Sequence, residues 1–268
     1  MKEKSKILLF IPAYNCEKQI IRVLSQLGEE MMRYIDQVIV VNNRSTDETE
    51  EVVKKFIDRC HSISIKLLCN KDNYGLGGSH KVAFDYAIKE KFDYVMVLHG
   101  DDQGEIHDFL PVLRTGMYRQ YDCILGARFM KGSKLQGYSK IRTFGNILYD
   151  FLFAAVIRKR VFDLGSGLNL YSTKMLKSKY YEKFPDNLMF NYCMILASDY
   201  YGHRIRFYPI SWREDDQVSN VKMFHQAMTV LSMLKGYYIN KQSILKDYRQ
   251  IKVENYEADV IADSEQTG

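Results

Sequence analysis

Acidic and amide side chains follow directly after one apolar run of the sequence, in YVMVLHGDDQGEIHD at 94–108. An apolar strand that ends in carboxylates delivers them to a sheet edge, where oxygen ligands can hold a divalent cation and, through it, a diphosphate. His99 comes first, and Asp101, Asp102 and Gln103 follow. Because a neutral imidazole is a good ligand for ions such as Mn²⁺, this stretch predicts a metal site that mixes nitrogen and oxygen ligands.

Three other apolar runs also end in polar, turn-forming residues. The first ends in PAYNCE at 12–17, the second in NNRSTD at 42–47 and the third in NKDNYGLGGS at 70–79. If these runs are neighbouring strands, their polar ends meet at one edge of a sheet, where a phosphate-bearing ligand would lie. No G-x-G-x-x-G follows the first run and the chain has no G-x-x-x-x-G-K-[ST], so neither a dinucleotide nor ATP on a P-loop is expected.

Strand and helix patterns alternate over the first half of the chain. The apolar runs that predict strands are KILLFIP (6–12), QVIVV (37–41), SISIKLLC (62–69), DYVMVL (93–98) and YDCILGA (121–127). The amphipathic stretches that predict helices lie between them, at 17–35, 46–60 and 76–90. Four βα units with short links predict an α/β fold, a Rossmann-like, doubly wound, mostly parallel sheet with helices on both faces.

The pattern loosens after residue 127. The elements predicted there are an apolar helix near 143–157, a strand at 166–172, a helix near 187–201, a strand at 204–210 and a long helix near 220–238. No repeat or clear linker interrupts the chain. We therefore expect one domain over 1–245, with halves of about 1–127 and 128–245 and a C-terminal helical elaboration. The acidic, polar stretch 246–268 is expected to be a flexible tail.

Basic residues are concentrated in one segment of a chain whose formal net charge is +5. Residues 128–160 contain a single acid, Asp150. Their basic residues are Arg128, Lys131, Lys134, Lys140, Arg142, Arg158, Lys159 and Arg160. This segment is either a solvated surface or a docking surface for phosphate or anionic lipid. No nucleic-acid-binding motif accompanies it, so nucleic acid is not an expected partner.

No stretch of the sequence is long enough to span a bilayer. The most apolar candidate, 144–157, has about fourteen residues, whereas a span needs roughly twenty. Its apolar stripe, with Phe144, Leu148 and Phe151, fits either core packing or a membrane interface. Five dispersed cysteines without a C-x-x-C pair indicate reduced thiols. We expect a cytoplasmic protein that is soluble or lies on the inner face of the cell membrane.

Taken in order, these motifs resemble those of family 2 glycosyltransferases, which have the GT-A fold. IPAYNCEKQI is similar to the family's P-x-Y-N-E opening, VVNNRSTDET to its V-D-D-x-S-x-D-x-T, and HGDDQ stands where its D-x-D-x-Q lies. NYGLGGSHKVAFDYA, GAR, SKIRTFGN and DLGSGLNLY make the resemblance closest to the dolichyl- and polyprenyl-phosphate sugar transferases. The resemblance extends over roughly residues 6–222.

The resemblance implies a role for each matching residue. The positions that would bind the nucleotide sugar are Pro12, Ala13, Tyr14, Asn15, Asn42, Asn43, Asn73, Gly77, Gly78, Gly100 and Arg213. The positions that would hold a divalent metal cofactor, Mn²⁺ or Mg²⁺, are His99, Asp101 and Gln103. The catalytic positions would be Asp101, Arg128, Arg142 and Asp186. Arg213, Ser219 and Lys222 resemble a flexible hairpin of the lipid-phosphate branch.

Several of these positions have a simpler interpretation. Gly77 and Gly78 could be turn residues at a helix start rather than residues that approach a diphosphate. Asp186 lies near the general base of relatives that use a hydroxyl acceptor, but it could also be a helix N-cap. Asp163 is a second candidate base, and it could equally be a turn residue before glycines. Tyr14 could simply pack against a strand end.

Four positions depart from the family's pattern. Asn42 and Asn43 stand where the family usually has acids, and Cys16 replaces a glutamate. An amide can still accept and donate a hydrogen bond, but the negative charge is gone, so the nucleotide base stays open. His99 also replaces an acid, which favours Mn²⁺ over Mg²⁺ and predicts that metal affinity falls below about pH 6.5 as the imidazole protonates.

The resemblance implies an inverting sugar transferase. The donor would be a nucleotide-diphospho-sugar and the acceptor a polyprenyl phosphate or a lipid-linked glycan, in surface-polysaccharide or glycolipid assembly. A phosphate acceptor is already ionised and needs no general base, whereas a hydroxyl acceptor needs one. The alternative, from the departures above, is a catalytically inactive nucleotide-sugar-binding or scaffold protein. A nucleotidyltransferase is a third possibility, but the chain lacks the glycine-rich G-x-G-T-R-type loop after the first strand.

Overall fold

The computed structural model describes residues 4–60, 63–214 and 223–265. The strands of its main sheet are β1 (Ile7–Ala13), β2 (Gln37–Asn42), β3 (Ile65–Asn70), β4 (Tyr94–Leu98), β5 (Cys123–Ala127), β7 (Leu168–Ser172), β8 (Ile205–Pro209) and β10 (Ala258–Asp263), and a separate pair is formed by β6 (Lys134–Gln136) and β9 (Ser211–Arg213). The α-helices are α1 (Ile20–Ser25), α2 (Glu29–Met32), α3 (Thr49–Ile57), α4 (Gly75–Lys89), α5 (Leu110–Arg114), α6 (Lys140–Ile157), α7 (Thr173–Leu176), α8 (Phe190–Tyr200) and α9 (Met223–Ile239). Short 3-10 helices lie at Ile106–Phe109, Met117–Gln120, Tyr180–Lys183 and Lys241–Leu245.

The main sheet has eight strands in the order β10-β3-β2-β1-β4-β7-β5-β8. Strands β3, β2, β1 and β4 run parallel to one another. Strand β7 is antiparallel to both of its neighbours, and β8 runs parallel to β5. The prediction of an α/β fold with a mostly parallel, doubly wound sheet is confirmed. The carboxyl ends of β1, β2, β3 and β4 therefore meet at one edge.

Helices cover both faces of this sheet, which explains why its central strands are continuous apolar runs. All seven residues of β1 are buried, as expected for a parallel strand with helices on either side. One core cluster packs α4, α6, α8 and α9 against one face. The other packs α1, α2, α3 and α5 against the opposite face. The apolar helix predicted near 143–157 is α6, which starts three residues earlier at Lys140.

Two predicted elements differ in the structure. The single helix expected over 17–35 is two short helices, because the chain leaves helical geometry at Gly28, where φ is −74° and ψ is 168°. The flexible tail expected over 246–268 is wrong for residues 258–263, which form β10 and pair antiparallel with β3. An unpaired outer edge of β3 would leave backbone N–H and C=O groups without strand partners, and β10 covers them.

Candidate active site

The carboxyl ends of the parallel strands surround a cavity of about 550 Å³, which we call the strand-edge cavity. Its lining residues are Pro12, Ala13, Tyr14, Asn15, Cys16, Asn43, Asn73, Gly75, Leu76, Ser79, His99, Gly100, Asp101 and Leu188. The end of β1 closely approaches the loop after β4, where Gly100 N donates to Pro12 O over 3.0 Å. A Cβ at Gly100 would lie 2.8 Å from that oxygen, so glycine is required for the two strand ends to close.

Asn43 joins the ends of β2 and β3 beside this cavity. Its Oδ1 accepts hydrogen bonds from Asn70 Nδ2 (2.8 Å) and from Tyr74 N (2.9 Å), and its Nδ2 donates to Asn73 Oδ1 (2.7 Å). This arrangement needs both a donor and an acceptor on one side chain, which an amide has and a carboxylate lacks. Asn43 therefore shapes the cavity wall.

Two other positions near the strand ends also support the loops. Asn42 does not line the cavity; its Nδ2 donates to Glu50 Oε2 (2.9 Å) and its Oδ1 accepts from Ser45 N (2.9 Å). Burial raises the pKa of the Cys16 thiol to about 12. At neutral pH that thiol is protonated, so Cys16 contributes packing rather than charge.

The two aspartates after β4 point to different surroundings. Asp101 lines the strand-edge cavity, and burial raises its pKa to about 6. Asp102 adopts a positive φ of 59°, and its carboxylate accepts from Arg22 Nε (2.5 Å) and Arg213 Nη2. Arg213 Nε also donates to the Asp102 carbonyl over 2.7 Å. Arg213, which is predicted to bind the donor, contacts this loop in the structure.

His99 stands between two cavities. It lines the strand-edge cavity and a second one, and its Nε2 is buried without a hydrogen-bond partner among the residues that the structure describes. A Cβ at Gly167 would lie 2.6 Å from His99 Cγ, so only glycine leaves room for the ring there. Burial, with a smaller contribution from the Arg128 charge, lowers the pKa of His99 to about 4. The imidazole therefore stays neutral down to about pH 4, whereas the sequence led us to expect protonation below about pH 6.5.

Two of the three residues predicted to hold a metal ion, His99 and Asp101, line the strand-edge cavity, and Gln103 does not. Within 4–60, 63–214 and 223–265, no group of three or more His, Cys, Asp or Glu side chains is arranged to hold a metal ion. His99 and Asp101 nevertheless present a buried, unpartnered nitrogen and a carboxylate to the same cavity. Hard cations often complete their coordination with phosphate oxygens and water. Gln103 does not line either cavity, and its backbone N donates to Asp101 Oδ1 over 3.3 Å.

The second cavity, of about 380 Å³, lies against α6, and we call it the α6 cavity. Its lining residues are Leu76, His99, Arg128, Tyr138, Ile141, Arg142, Gly145, Asn146, Tyr149, Asp163, Leu164, Gly165, Leu188, Asn191, Tyr192 and Val230. Leu76, His99 and Leu188 belong to both cavities. The two cavities are therefore neighbours that share a wall.

Arginines give the α6 cavity its charge. Arg128 makes a bidentate pair with Asp163, Nε to Oδ2 at 2.7 Å and Nη2 to Oδ1 at 2.8 Å. Arg142 Nη1 donates to Glu214 Oε2 over 2.7 Å, and its guanidinium lies 5.1 Å from the Tyr138 ring centre. Guanidinium groups are common where proteins bind phosphate, because their paired N–H groups match its oxygens.

Neither candidate general base is available in this geometry. Asp163 is occupied by Arg128. Asp186 lines neither cavity; its carboxylate accepts from Lys81 Nζ (2.6 Å) and Tyr256 OH (2.8 Å). Asp150, on α6, is a further buried acid that belongs to none of the sequence motifs. Burial, reinforced by the nearby Asp163, raises its pKa to about 8, so it is largely protonated near neutral pH and is a poor base.

Gly77 and Gly78 pack against the protein rather than against ligand space. A Cβ at Gly77 would lie 2.4 Å from the Pro185 carbonyl oxygen, and one at Gly78 would lie 2.3 Å from Tyr74 Cβ. Neither residue lines the strand-edge cavity. The absence of a side chain at Gly77 and Gly78 permits close packing at the start of α4.

Most of the residues predicted from sequence meet in these cavities. Those that line one of them are Pro12, Ala13, Tyr14, Asn15, Asn43, Asn73, His99, Gly100, Asp101, Arg128 and Arg142. Those that line neither are Asn42, Gly77, Gly78, Gln103, Asp186 and Arg213. Sequence reasoning missed the shared wall residues Leu76 and Leu188, which carry no chemical signal. Ser219 and Lys222 lie outside the described residues.

No helix in the described part of the chain is both long enough and apolar enough to cross a membrane. The exposed face of α6 is nevertheless strongly apolar. Ile141, Phe144 and Phe151 are 83%, 71% and 67% exposed. Among the residues that the structure describes, these side chains are therefore not packed into the core.

Comparison with known proteins gives a consistent result. The model of glycosyl transferase family 2 matches residues 9–179. An uncharacterised protein of Methanocaldococcus jannaschii is 26% identical over 208 residues, which is 77% of this chain and 81% of the relative. The UDP-N-acetylglucosamine–dolichyl-phosphate N-acetylglucosaminyltransferase of Methanococcus voltae is 23% identical over 181 residues, 64% of this chain and 71% of that protein.

A solved structure shares the fold. Glucosyl-3-phosphoglycerate synthase from Mycobacterium tuberculosis, in complex with Mn²⁺, UDP-glucose and glycerol 3-phosphate, superposes with a TM-score of 0.57 at 15% sequence identity. The match covers 90% of this chain and 80% of the synthase. At this identity the likeness establishes the GT-A fold alone.

Proposed function

Because the chain belongs to glycosyl transferase family 2, we propose that it transfers a sugar, with inversion, from a nucleotide-diphospho-sugar to a lipid-linked phosphate. The strand-edge cavity would hold the donor and the α6 cavity the acceptor. The lipid-phosphate relative of Methanococcus voltae supports this choice of acceptor and makes UDP-N-acetylglucosamine the first donor to test. Surface-polysaccharide or glycolipid assembly is the process that would use such a product.

The observation that carries the proposal is the charge of the α6 cavity. Asp163 is the only acid among the described residues that line it, and it is fully engaged with Arg128. A hydroxyl acceptor would need a free carboxylate to take its proton, whereas a phosphate monoester is already ionised. Arg128, Arg142 and a neutral His99 suit a phosphate better than a neutral sugar hydroxyl.

The reaction would proceed as a displacement at the anomeric carbon. A phosphate oxygen of the acceptor forms the new bond while the bond to the donor diphosphate breaks, and the nucleoside diphosphate departs with the electron pair. The shared wall of the two cavities, with His99, Leu76 and Leu188, is where the two reacting groups would meet. Holding both substrates in line supplies much of the rate enhancement in such displacements.

Asp101 and His99 would hold a divalent ion, which when bound would neutralise charge on the departing diphosphate. The neutral imidazole can donate its lone pair, and the raised pKa of Asp101 means that its carboxylate is ionised near neutral pH but no longer at pH 5. Arg22 and Arg213 keep Asp102 turned away from the strand-edge cavity, which leaves Asp101 as the carboxylate on the donor side.

A direct assay separates the acceptor classes. The protein is incubated with UDP-N-acetylglucosamine and Mn²⁺, and with either a polyprenyl phosphate or the matching free polyprenol. We expect glycosylated lipid from the phosphate alone. Equal turnover with the free alcohol would contradict the assignment. Tight donor binding without turnover on any acceptor would favour the inactive, nucleotide-sugar-binding alternative.

The apolar face of α6 supports docking on an anionic bilayer. Ile141, Phe144 and Phe151 lie on the same helix whose first turns line the α6 cavity. Exposed basic residues lie at both ends of the helix, Lys140 at its start and Arg158 after its end. An apolar face with flanking cations is typical of helices that lie in the interface of anionic membranes. A lipid acceptor could then enter from the membrane.

Vesicle sedimentation tests this docking. Wild-type protein should pellet with phosphatidylglycerol vesicles, bind less as salt rises, and stay in solution with phosphatidylcholine vesicles. The double variant Phe144→Ser/Phe151→Ser should lose binding. The control is Ile251→Ser, which removes a side chain that is 75% exposed and lies outside α6. Equal loss in the control, or no loss in the double variant, would refute docking through α6.

A further inference from the structure

The C-terminal segment 246–265 attaches to the transferase fold through its outer strand. Strand β10 pairs antiparallel with β3, Lys71 N donates to Glu257 O over 3.0 Å, and Lys71 Nζ pairs with Asp259 at 2.7 Å. The Lys71–Asp259 pair is on the surface, with about half of each side chain or more exposed. This attachment brings Tyr256 against the body of the domain.

Tyr256 belongs to a largely buried polar cluster with Lys81 and Asp186. Its hydroxyl donates to Asp186 Oδ1 (2.8 Å) and accepts from Lys81 Nζ (3.0 Å). Lys81 also donates to Asp186 Oδ1 (2.6 Å) and to the Phe184 carbonyl (2.7 Å). The Lys81 side chain is only 1% exposed. A buried ammonium requires this full set of partners, so the cluster has one favoured geometry.

The same segment holds the start of α4. Gly77 N donates to Asp186 O over 2.7 Å. The Tyr256 ring packs edge-on against Tyr74, with centroids 5.3 Å apart, and a Cβ at Gly78 would lie 3.3 Å from it. Residues 184–186, the first turn of α4 and the C-terminal segment therefore form one packed unit.

This unit supports the shared wall of the two cavities. Leu76 lies in the first turn of α4, and Leu188 follows the 184–186 segment by two residues; both line both cavities. We propose that Tyr256 and Lys81 are positioning residues: the C-terminal segment fixes Leu76 and Leu188 and thereby sets the placement of donor relative to acceptor. The proposal rests on the proposed function in its assignment of the two cavities. On this proposal, residues 246–265 contribute to the rate of the transfer reaction.

Two variants test the cluster without removing the segment. Tyr256→Phe keeps the ring on Tyr74 and deletes the hydroxyl, and Lys81→Met deletes the buried charge while keeping a long apolar chain. The matched control is Asp259→Ala, which breaks the exposed Lys71 pair in the same segment. Hydrogen exchange of the Gly77 amide reports on the wall without any ligand, and steady-state kinetics report on the reaction.

At a temperature where all variants are folded, Tyr256→Phe and Lys81→Met should exchange the Gly77 amide about tenfold faster or more. Their kcat should fall about tenfold, because displacement requires precise alignment, while the KM for the nucleotide sugar changes less than threefold. Asp259→Ala should match wild type in both measurements. Unchanged exchange, or faster exchange with an unchanged kcat, would overturn the proposal. An inactive wild-type protein would count against the proposed function, and the exchange measurement would still decide whether the segment holds the wall.

Discussion

The strand-edge cavity and the α6 cavity are neighbours, but different forces build them. Neutral amides and backbone groups shape much of the first, with Asn43 bonded to Asn70, Asn73 and Tyr74. Charged pairs between distant residues shape the second. Arg128 reaches Asp163, and Arg142 reaches Glu214. The first is thus made from the short polar segments that follow each strand, and the second from tertiary contacts.

This difference has an energetic side. Losing one partner of a neutral, buried amide cluster costs about 1–3 kcal/mol. Losing one partner of a buried ion pair costs about 3–5 kcal/mol, because the other charge stays behind without compensation. Arg128 and Asp163 are of the second kind, with 11% and 1% of their side chains exposed. Substituting the ion-paired residues around the α6 cavity should therefore cost more stability than substituting the amides around the strand-edge cavity.

The largest expected effect separates the cavities by chemistry. Asp101→Ala removes the carboxylate that lines the strand-edge cavity, and we expect transfer to fall on the order of 10³-fold, since charge on the departing diphosphate loses its stabilisation. Metal-dependent donor binding should be lost as well. The control is Glu105→Gln in the same loop, whose side chain is exposed and bonds to His107. Normal turnover in Asp101→Ala would remove the metal-site hypothesis.

The next effect should be confined to the α6 cavity. Arg142→Ala deletes a guanidinium that lines this cavity and not the other. We expect KM for the lipid phosphate to rise about 10- to 100-fold, as for a lost hydrogen bond to a charged group, while UDP affinity stays within twofold. Lys177→Ala, which removes an exposed cation outside the basic segment 128–160, is the control. A collapse of UDP affinity with normal acceptor kinetics would show that the two cavities are assigned the wrong way round.

The sequence predicts some positions of the site better than others for a physical reason. Parallel strands bring their carboxyl ends to one edge, so residues such as Tyr14, Asn43 and Asp101 could be placed from strand order alone. The positions of Arg213 and Asp186 depend on which way a side chain turns. Arg213 turned to the loop at Asp102, and Asp186 turned to Lys81.

Other features could not be predicted, because the same residue type has more than one use in a structure. Glycine serves equally for ligand approach and for close packing, and at Gly77 the packing use is the one observed. Leu76 and Leu188 are ordinary apolar residues, and only the fold shows that they separate the two cavities. The acidic C-terminal stretch suggested a flexible tail, whereas the free edge of β3 made it a strand.

A third, smaller effect concerns pH. The pKa of Asp101 is raised to about 6 and that of His99 is lowered to about 4. A proton competes with the metal at any ligand whose metal-free pKa lies above the pH. Mn²⁺ affinity should therefore be constant above about pH 6.5 and fall about tenfold by pH 5 through Asp101, with His99 adding to the loss only near pH 4. Calorimetric titration of Mn²⁺ against pH measures this directly.

The variant His99→Asp sharpens the same measurement. A carboxylate in place of the imidazole adds negative charge and a harder ligand, so Mg²⁺ should gain affinity relative to Mn²⁺. The pH below which Mn²⁺ affinity falls, which Asp101 sets near pH 6 in the wild type, should rise, because a second carboxylate nearby raises the pKa of the first. If the two proteins have the same metal preference and the same dependence of metal affinity on pH, His99 takes no part in metal binding.

The smallest effect tests whether an amide at position 43 stabilises the protein more than the acid that the family usually has there. Asn43→Asp replaces the Nδ2 donor by an oxygen that faces Asn73 Oδ1, itself an acceptor from Gly75 N at 3.1 Å. We expect the free energy of unfolding to fall by about 1–2 kcal/mol at neutral pH, or Tm to fall by about 2–6 °C for a chain of this size.

Burial and the facing oxygen should raise the folded-state pKa of the introduced carboxyl above its unfolded value of about 3.9. The loss is then fully present above the folded pKa and shrinks as pH falls through it toward the unfolded value, because the protonated acid can donate to Asn73. Asn240→Asp, at an exposed helix cap that only accepts a hydrogen bond, should leave Tm unchanged. A Tm for Asn43→Asp at or above wild type at neutral pH would mean that the cavity wall does not depend on the amide.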